Sequence, residues 1–390
     1  MKEAKRKILI YVHSLEAGGA ERVSIDLANM LQNIGNEILL VTNETPEKDF
    51  YTLNATIGRE SLKTSGSHKN PFKRFEGWVR RKRRLRKLIA KENPAAIIAM
   101  MNSDIPLATI SASKTGVPVI GVEHCHPDGR KQRWILKQLI AYTYPRLNAL
   151  VVLTKQTEEW FRNNGHNGEI EVIENALRWP IEGSQPYIPV PKHNGSNRII
   201  LSVGRLEKAK RFDRLIDSFS NVQSLHPDWK LVIIGEGTQR SEIQLKIKER
   251  GQQGNIELKG RVGNIGEWYA SADIFALASE IEGFPLSLAE AMASGCACIS
   301  YDCPTGPKEM IIDGENGLLI PNDETDVYSS RLSELMQSSV ARKRLGENAT
   351  SIRDKLSPAA ISVKWARLID KVVSENNRKT TGETRRKHSV

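Results

Sequence analysis

The sequence has no apolar run approaching the roughly eighteen residues that cross a bilayer as a helix, so it reads as soluble and globular. Cysteine is scarce: four residues, at 125, 296, 298 and 303. They give no spread disulfide framework, which suits a reducing compartment. The spacing of Cys296, Cys298 and Cys303 is not C-x-x-C and a second pair is missing, so small buried residues explain them better than zinc. The amino terminus is basic, but Ile8 to Val12 is too short for a secretion signal's apolar core and leads into His13 and Glu16. A cytoplasmic protein is expected. No G-x-G-x-x-G follows the first apolar run, where Glu16-Ala-Gly-Gly19 stands instead, and in Val41-Thr-Asn-Glu44 the acid lies beyond the strand end. That argues against a nicotinamide dehydrogenase.

At 390 residues the chain exceeds what one core usually organises, so two domains are expected. The net charge of +11 suggests nucleic acid until it is located. Phe72 to Lys91 carries +9 and Arg378 to Val390 carries +4, which leaves the remainder near −2. No nucleic-acid reading module accompanies these segments, so no nucleic-acid partner is expected. In the first segment Phe72, Phe75, Trp78, Val79, Leu85, Leu88 and Ile89 recur near helical spacing among Lys73, Arg74, Arg80, Arg81, Arg83 and Arg84. Such a basic helix suits an anionic membrane or a diphosphate, or is simply a solvated face.

Lys7-Ile-Leu-Ile-Tyr-Val-His13, a small-residue loop and then Val23, Ile25, Leu27, Met30 and Leu31 spell strand, turn and helix. The same grammar restarts at Arg198-Ile-Ile-Leu-Ser-Val-Gly204, followed by Phe212, Leu215, Ile216 and Phe219. Apolar runs alternate with helical stretches after both starts, as in parallel βα units. The expected fold is α/β: two doubly wound, Rossmann-like domains facing across a cleft. Residues 1–180 form the first domain and 198–357 the second. The proline-rich stretch 181–197 is a linker, 358–377 a helix free to pack on either domain, and 378–390 a disordered basic tail.

Ligands of such domains sit at the carboxyl ends of strands. In Ser279-Glu-Ile-Glu-Gly-Phe-Pro-Leu-Ser-Leu-Ala-Glu-Ala-Met-Ala-Ser-Gly295, Pro285 or Leu286 opens a helix whose free N–H groups favour an anion. Glu290 lies three residues beyond Ser287 and four beyond Leu286, so it shares their face, where a carboxylate accepts sugar hydroxyl protons. After the second start, Arg205 and Lys210 stand where a strand ends and suit a diphosphate, Arg as a planar fork and Lys as a point charge.

Gly204-Arg-Leu-x-x-x-Lys210, Glu282-Gly-Phe-Pro with Glu290 eight residues on, Asn316-Gly-Leu-Leu319 and Gly18-Gly-Ala-Glu-Arg22 occur in the order found in GT-B glycosyltransferases of family 4, which the chain resembles from about Lys7 to Ile369. The resemblance implies a retaining hexosyltransferase that uses a nucleotide-diphosphate sugar, most readily a UDP-sugar, without a metal or other cofactor. The absence of any D-x-D agrees with the metal-free mode. It implies that Arg205 and Lys210 neutralise the donor diphosphate and that Glu290 holds the ribose. Glu282, Phe284, Leu286 and Ser287 would contact sugar and phosphate, Val262 the base, and Gly18 and Gly19 the phosphates. His124, in Val122-Glu-His-Cys-His126, resembles the family histidine that touches the sugar, with His126 as competitor. Asp302-Cys-Pro-Thr-Gly-Pro-Lys-Glu309 resembles members that build bacterial surface polysaccharides, with Thr305 and Gly306 facing the donor. The implied acceptor is a polyprenyl-diphosphate-linked glycan, held by the basic segment at the anionic cytoplasmic face of the inner membrane. The alternative is a nucleotide-sugar- or lipid-binding protein without transfer activity.

Overall fold

The computed structural model describes residues 5–16, 18–64, 70–127, 134–191 and 197–387, the side chains of Pro71 and of 380–387 aside. By contacts the chain divides into two compact units, one of residues 1–176 and 358–390, the other of 177–357.

The first unit runs β1 (Lys7–Tyr11), α1 (Gly19–Asn33), β2 (Glu37–Thr42), β3 (Gly58–Ser61), α2 (Pro71–Glu92), β4 (Ala96–Ala99), α3 (Ile105–Ala112), β5 (Val119–Glu123), α4 (Trp134–Thr143), β6 (Ala149–Val152), α5 (Lys155–Asn163) and β7 (Ile170–Val172). Its seven strands are parallel in the order β3-β2-β1-β4-β5-β6-β7. The order reverses between β1 and β4, so the carboxyl end of β1 is the natural ligand end. Central strands such as β1 and β4 are covered on both faces and are therefore continuously apolar. β3 escaped the sequence reading because Gly58-Arg-Glu-Ser61 has no apolar pattern; only its edge pairing with β2, Leu39 opposite Gly58, makes it a strand.

The second unit runs β8 (Arg198–Val203), α6 (Phe212–Gln223), β9 (Trp229–Ile234), α7 (Arg240–Glu249), β10 (Ile256–Gly260), α8 (Ile265–Ser271), β11 (Ile274–Leu277), α9 (Leu286–Ala293), β12 (Ala297–Asp302), α10 (Pro307–Met310), β13 (Leu318–Pro321), α11 (Thr325–Gln337), α12 (Ser339–Ala349) and α13 (Ile352–Lys355). Its six parallel strands follow the order β10-β9-β8-β11-β12-β13. On α6 the residues Phe212, Leu215, Ile216, Phe219 and Val222 are buried in the core at helical spacing. Each such side chain contributes about 1.5–3 kcal/mol through its burial.

The last helix, α14 (Pro358–Lys387), belongs to the first unit and packs on α1 and β4. The expected disordered tail is therefore helical to Lys387; residues 388–390 of that expectation lie outside the described residues. The 181–197 stretch also differs from a free linker, although its residues 192–196 lie outside the description. Ser184 N donates to Gly263 O at 2.9 Å, the Asn264 side chain bonds both N and O of Ile188, and Trp268 Nε1 donates to Ile188 O at 3.2 Å. Prolines leave backbone carbonyls without neighbouring N–H partners, and here α8 and the turn before it supply the donors.

Candidate functional site

In the second unit, the loop after β8 carries Gly204 to Lys210. Gly204 N bonds Ile234 O at 3.0 Å and Leu206 N bonds Glu236 O at 3.0 Å, which seats this loop on the turn after β9. Gly235 has φ +143°, and a Cβ there would lie 1.9 Å from Gly204 O. Only glycine fits that approach. With the loop fixed, Arg205 projects exposed, and its side chain has no hydrogen-bond or ion-pair partner among the described residues. An unpaired guanidinium at the end of β8, where strand order reverses, is ready to meet an anion.

Lys210 is held differently. Its Nζ donates to both oxygens of Glu282, at 2.6 and 2.8 Å, and Ser279 Oγ donates to Glu282 Oε1 at 2.5 Å. Glu282 is buried, and its carbonyl accepts from Thr305 Oγ1. Thr305 is fully buried with φ +63°, a left-handed conformation uncommon for a β-branched residue. A Cβ on neighbouring Gly306, at φ +100°, would sit 2.4 Å from Pro285 Cδ. The 305–306 turn thus clamps the 282–285 segment that leads into α9. Phe284 is buried, whereas Leu286 and Ser287 at the helix start are half-buried. Glu290, on the buried face of α9, accepts from Tyr269 OH at 3.0 Å. Val262 is half-buried in the turn after β10.

In the first unit, Gly19 opens α1 with nothing within 4 Å of a notional Cβ, and a Cβ at Gly18 would meet the Glu21 carboxylate. The turn is open at Gly19 alone, since Gly18 O also accepts from Tyr51 OH at 3.0 Å, and Ala17 lies outside the description. His124, just beyond β5, lines a cavity of about 20 Å³ closed by Val23 and Leu27 of α1 and by Ile361 and Trp365 of α14. That volume holds about one water molecule. Its Nε2 is buried with no partner among the described residues, and burial pushes its pKa down to about 4, so the ring is neutral at pH 7. His126 is buried edge-on to Trp160, ring centroids 6.0 Å apart, as a packed side chain.

Two family models match the chain. One, described as glycosyl transferases group 1, covers residues 185–352; the other, glycosyltransferase family 4, covers 17–177. The chain belongs to the GT-B glycosyltransferases. An amylovoran biosynthesis glycosyltransferase of Erwinia amylovora is 26% identical over 361 residues, 92% of this chain and 98% of that one. A Campylobacter jejuni α-1,4-N-acetylgalactosaminyltransferase, named for a diphospho-undecaprenol-linked glycan, is 26% identical over 94% of this chain and 99% of its own length. Among solved structures, sucrose-phosphate synthase from Thermosynechococcus elongatus superposes with a TM-score of 0.80 at 17% identity, over 95% of this chain and 100% of that one.

The transferase splits the basic segment into two populations. Lys73, Arg74, Arg80 and Arg83 of α2 are exposed. Arg84 instead donates to the carbonyls of Leu62 and Lys63, and Arg86 to those of Ser111 and Ile110. Arg81 is half-buried with its Nε enclosed. Phe72 and Phe75 are mostly exposed, while Leu85 and Ile89 enter the core. Sequence reasoning missed α4, whose Trp134, Ile135 and Tyr142 are exposed in the same unit, with α3 touching both helices. It missed Arg214 too, which is buried on α6. Its guanidinium bonds Ala278 O at 2.6 Å and Ser279 O at 2.5 Å and lies 3.8 Å from the Tyr301 ring centroid, supporting the loop that presents Glu282. A lone arginine on an otherwise uncharged buried helix face was the available signal. The three clustered cysteines are core thiols: Cys296 Sγ donates to Tyr269 O, and burial pushes Cys303 up to about 12. No described helix is long and apolar enough to cross a membrane.

Proposed function

We propose that this transferase moves a hexose or N-acetylhexosamine, with retention and without a metal, from a nucleotide-diphosphate sugar, first of all a UDP-sugar, to a polyprenyl-diphosphate-linked glycan. The pathway in this reading is bacterial surface-polysaccharide assembly. The observation that carries it is the cation pair after β8: among the described residues the Arg205 side chain has no partner, and the Lys210 ammonium is engaged only with Glu282. A diphosphate gains negative charge as the glycosidic bond breaks, so two fixed cations stabilise the transition state more than the ground state. In this reading Arg205 grips the diphosphate as a fork, and Lys210 shares its charge between Glu282 and the departing phosphate. Glu290, with one oxygen on Tyr269 OH, accepts from the ribose hydroxyls. Phe284, Leu286 and Ser287 offer main-chain donors, Thr305 and Gly306 shape the pocket wall, and Val262 meets the base. In this reading the partly exposed edge of the neutral His124 ring meets the donor sugar, and Gly18 and Gly19 let the backbone at the start of α1 approach phosphate.

The acceptor assignment draws on the diphospho-undecaprenol-linked glycan for which the Campylobacter relative is named. It draws also on the exposed basic and aromatic residues of α2 and α4, which suit an anionic inner-leaflet surface on the cytoplasmic side.

The test is thermal denaturation with UDP, GDP, ADP or NAD in EDTA, for wild type and Arg205→Ala. Arg205 is exposed and unpaired, so its removal leaves the unliganded melting temperature unchanged. UDP should raise the wild-type value and not the variant's. Stabilisation by NAD alone, by no nucleotide, or equally in both proteins would overturn the reading.

A further inference from the structure

A second ordered polar group lies at the carboxyl end of β1, in the first unit, and no residue of it takes part in the donor chemistry above. His13 follows β1 and Asn43 follows β2. The backbone clamps them together: Val12 N bonds Val41 O at 3.1 Å, and Asn43 N bonds His13 O at 3.0 Å. Their side chains meet as well, with Asn43 Nδ2 2.9 Å from His13 Nδ1.

The chain of hydrogen bonds fixes which nitrogen of His13 carries the proton. Tyr11 is fully buried, and its hydroxyl donates to Asn43 Oδ1 at 2.9 Å. With Oδ1 occupied by a donor, the Asn43 amide presents Nδ2–H to His13, so Nδ1 accepts. A neutral imidazole that accepts at Nδ1 carries its hydrogen on Nε2. The ring is exposed, so Nε2–H is a preset donor at the ligand end of the sheet.

The surroundings keep it neutral and indicate its ligand. Burial of the ring's inner side and the Arg81 guanidinium lower the His13 pKa, while Glu44, Glu16 and Glu21 act in the opposite sense. Asp104, at the start of α3, accepts from His13 N at 3.1 Å. Burial pushes the Asp104 carboxyl up to about 8. Glu44 is itself paired with Lys48 Nζ at 2.8 Å, so Glu16 and Glu21 stand against Arg81, a balance that offers a phosphate no excess of positive charge at His13. A neutral N–H donor carries no charge to match a phosphate and suits a polyol, whose hydroxyls both accept and donate.

We propose that His13 is an acceptor-binding residue whose Nε2–H donates to a hydroxyl oxygen of the acceptor sugar, with Asn43 and Tyr11 as the positioning residues that hold it in that tautomer. The proposal rests on the transferase reading above. It adds a specificity contact that sequence motifs did not reveal.

Two measurements test it. In long-range proton–nitrogen spectra of histidine-labelled wild type, His13 should be neutral and Nε2-protonated above pH 7. Adding a short-chain polyprenyl-diphosphate-linked N-acetylhexosamine disaccharide should shift its Nε2 signal. A histidine that titrates above its ordinary value, an Nδ1–H tautomer, or no shift on adding that glycan overturns the proposal. In transfer assays with the UDP-sugar that supports turnover, His13→Ala should lower kcat/KM for the glycan by about tenfold or more without changing KM for the donor. His13→Gln, which offers an amide N–H, should recover part of the loss. Asn43→Asp should give His13 an Nδ1–H and make acceptor kcat/KM newly pH-dependent near neutrality. Equal loss in the Ala and Gln variants, or loss confined to the donor, overturns the assignment. Wild-type protein that shifts His13 on glycan binding but transfers no sugar would instead overturn the transferase reading.

Discussion

Replacing Lys210 with Met tests the arrangement around Glu282 most directly, because it keeps the aliphatic stem and removes the charge. The Lys210 and Glu282 side chains are 24% and 7% exposed, and the ammonium touches both carboxylate oxygens. Exposed ion pairs contribute about 0–1 kcal/mol, whereas removing one partner of a buried pair costs about 3–5 kcal/mol. This pair has one buried and one partly exposed member, so Lys210→Met should cost about 2–3 kcal/mol. Ser279 Oγ remains on Glu282 and limits the damage. For a unit of this size that is a fall of about 5–10 °C in melting temperature. Glu282→Gln should cost less, since the amide oxygen still accepts from Lys210 and Ser279. The double variant should lose less than the sum of the two single losses, by about 1 kcal/mol or more. Scanning calorimetry of all four proteins, following the transition that UDP shifts, measures the cycle. The Met variants should also lose most of the UDP-induced shift. An unchanged transition in Lys210→Met, or strict additivity, would show that the pair does not hold the 279–285 loop, and the reasoning would fail.

Burial holds a proton on Asp104 up to about pH 8 and on Glu123 up to about 7, the latter beside Tyr144 OH at 2.6 Å. Because the folded chain keeps protons that the unfolded chain has released, stability falls as pH rises toward those values, by about 1.4 kcal/mol per pH unit per group. His124, pushed down to about 4, acts oppositely and only below about pH 6.5. Urea denaturation of Asp104→Asn between pH 6.5 and 8 should therefore show a flatter decline than wild type; an identical slope would contradict the assignment. At the surface, changing the exposed Lys73, Arg74, Arg80 and Arg83 to Ala should release the protein from phosphatidylglycerol vesicles in sedimentation assays, at about 1 kcal/mol per residue, and Trp134→Ser should weaken binding further. Undiminished binding, or salt-resistant binding to DNA, would refute the membrane-facing role.

The sequence alone determined the two parallel α/β units, because buried parallel strands must be continuously apolar and their connecting helices must bury one stripe. It also indicated the family, since Gly204-Arg-Leu, Lys210, Glu282 and Glu290 recur at strand and helix ends where spacing is rigid. Tertiary structure decided what local pattern does not encode. Polar β3 is a strand only because β2 offers an edge, and the proline-rich 184–188 stretch is held by α8 and the preceding turn. The basic helix looked uniform in sequence, yet Arg84 and Arg86 bond carbonyls that lie twenty or more residues away while Arg80 and Arg83 face solvent. The tautomer of His13 likewise depends on Asn43 and Tyr11, which only the pairing of β1 with β2 brings within hydrogen-bond reach. Periodicity reports which face of an element is buried; which polar atoms meet across elements is set by register and packing, and those are properties of the assembled sheet.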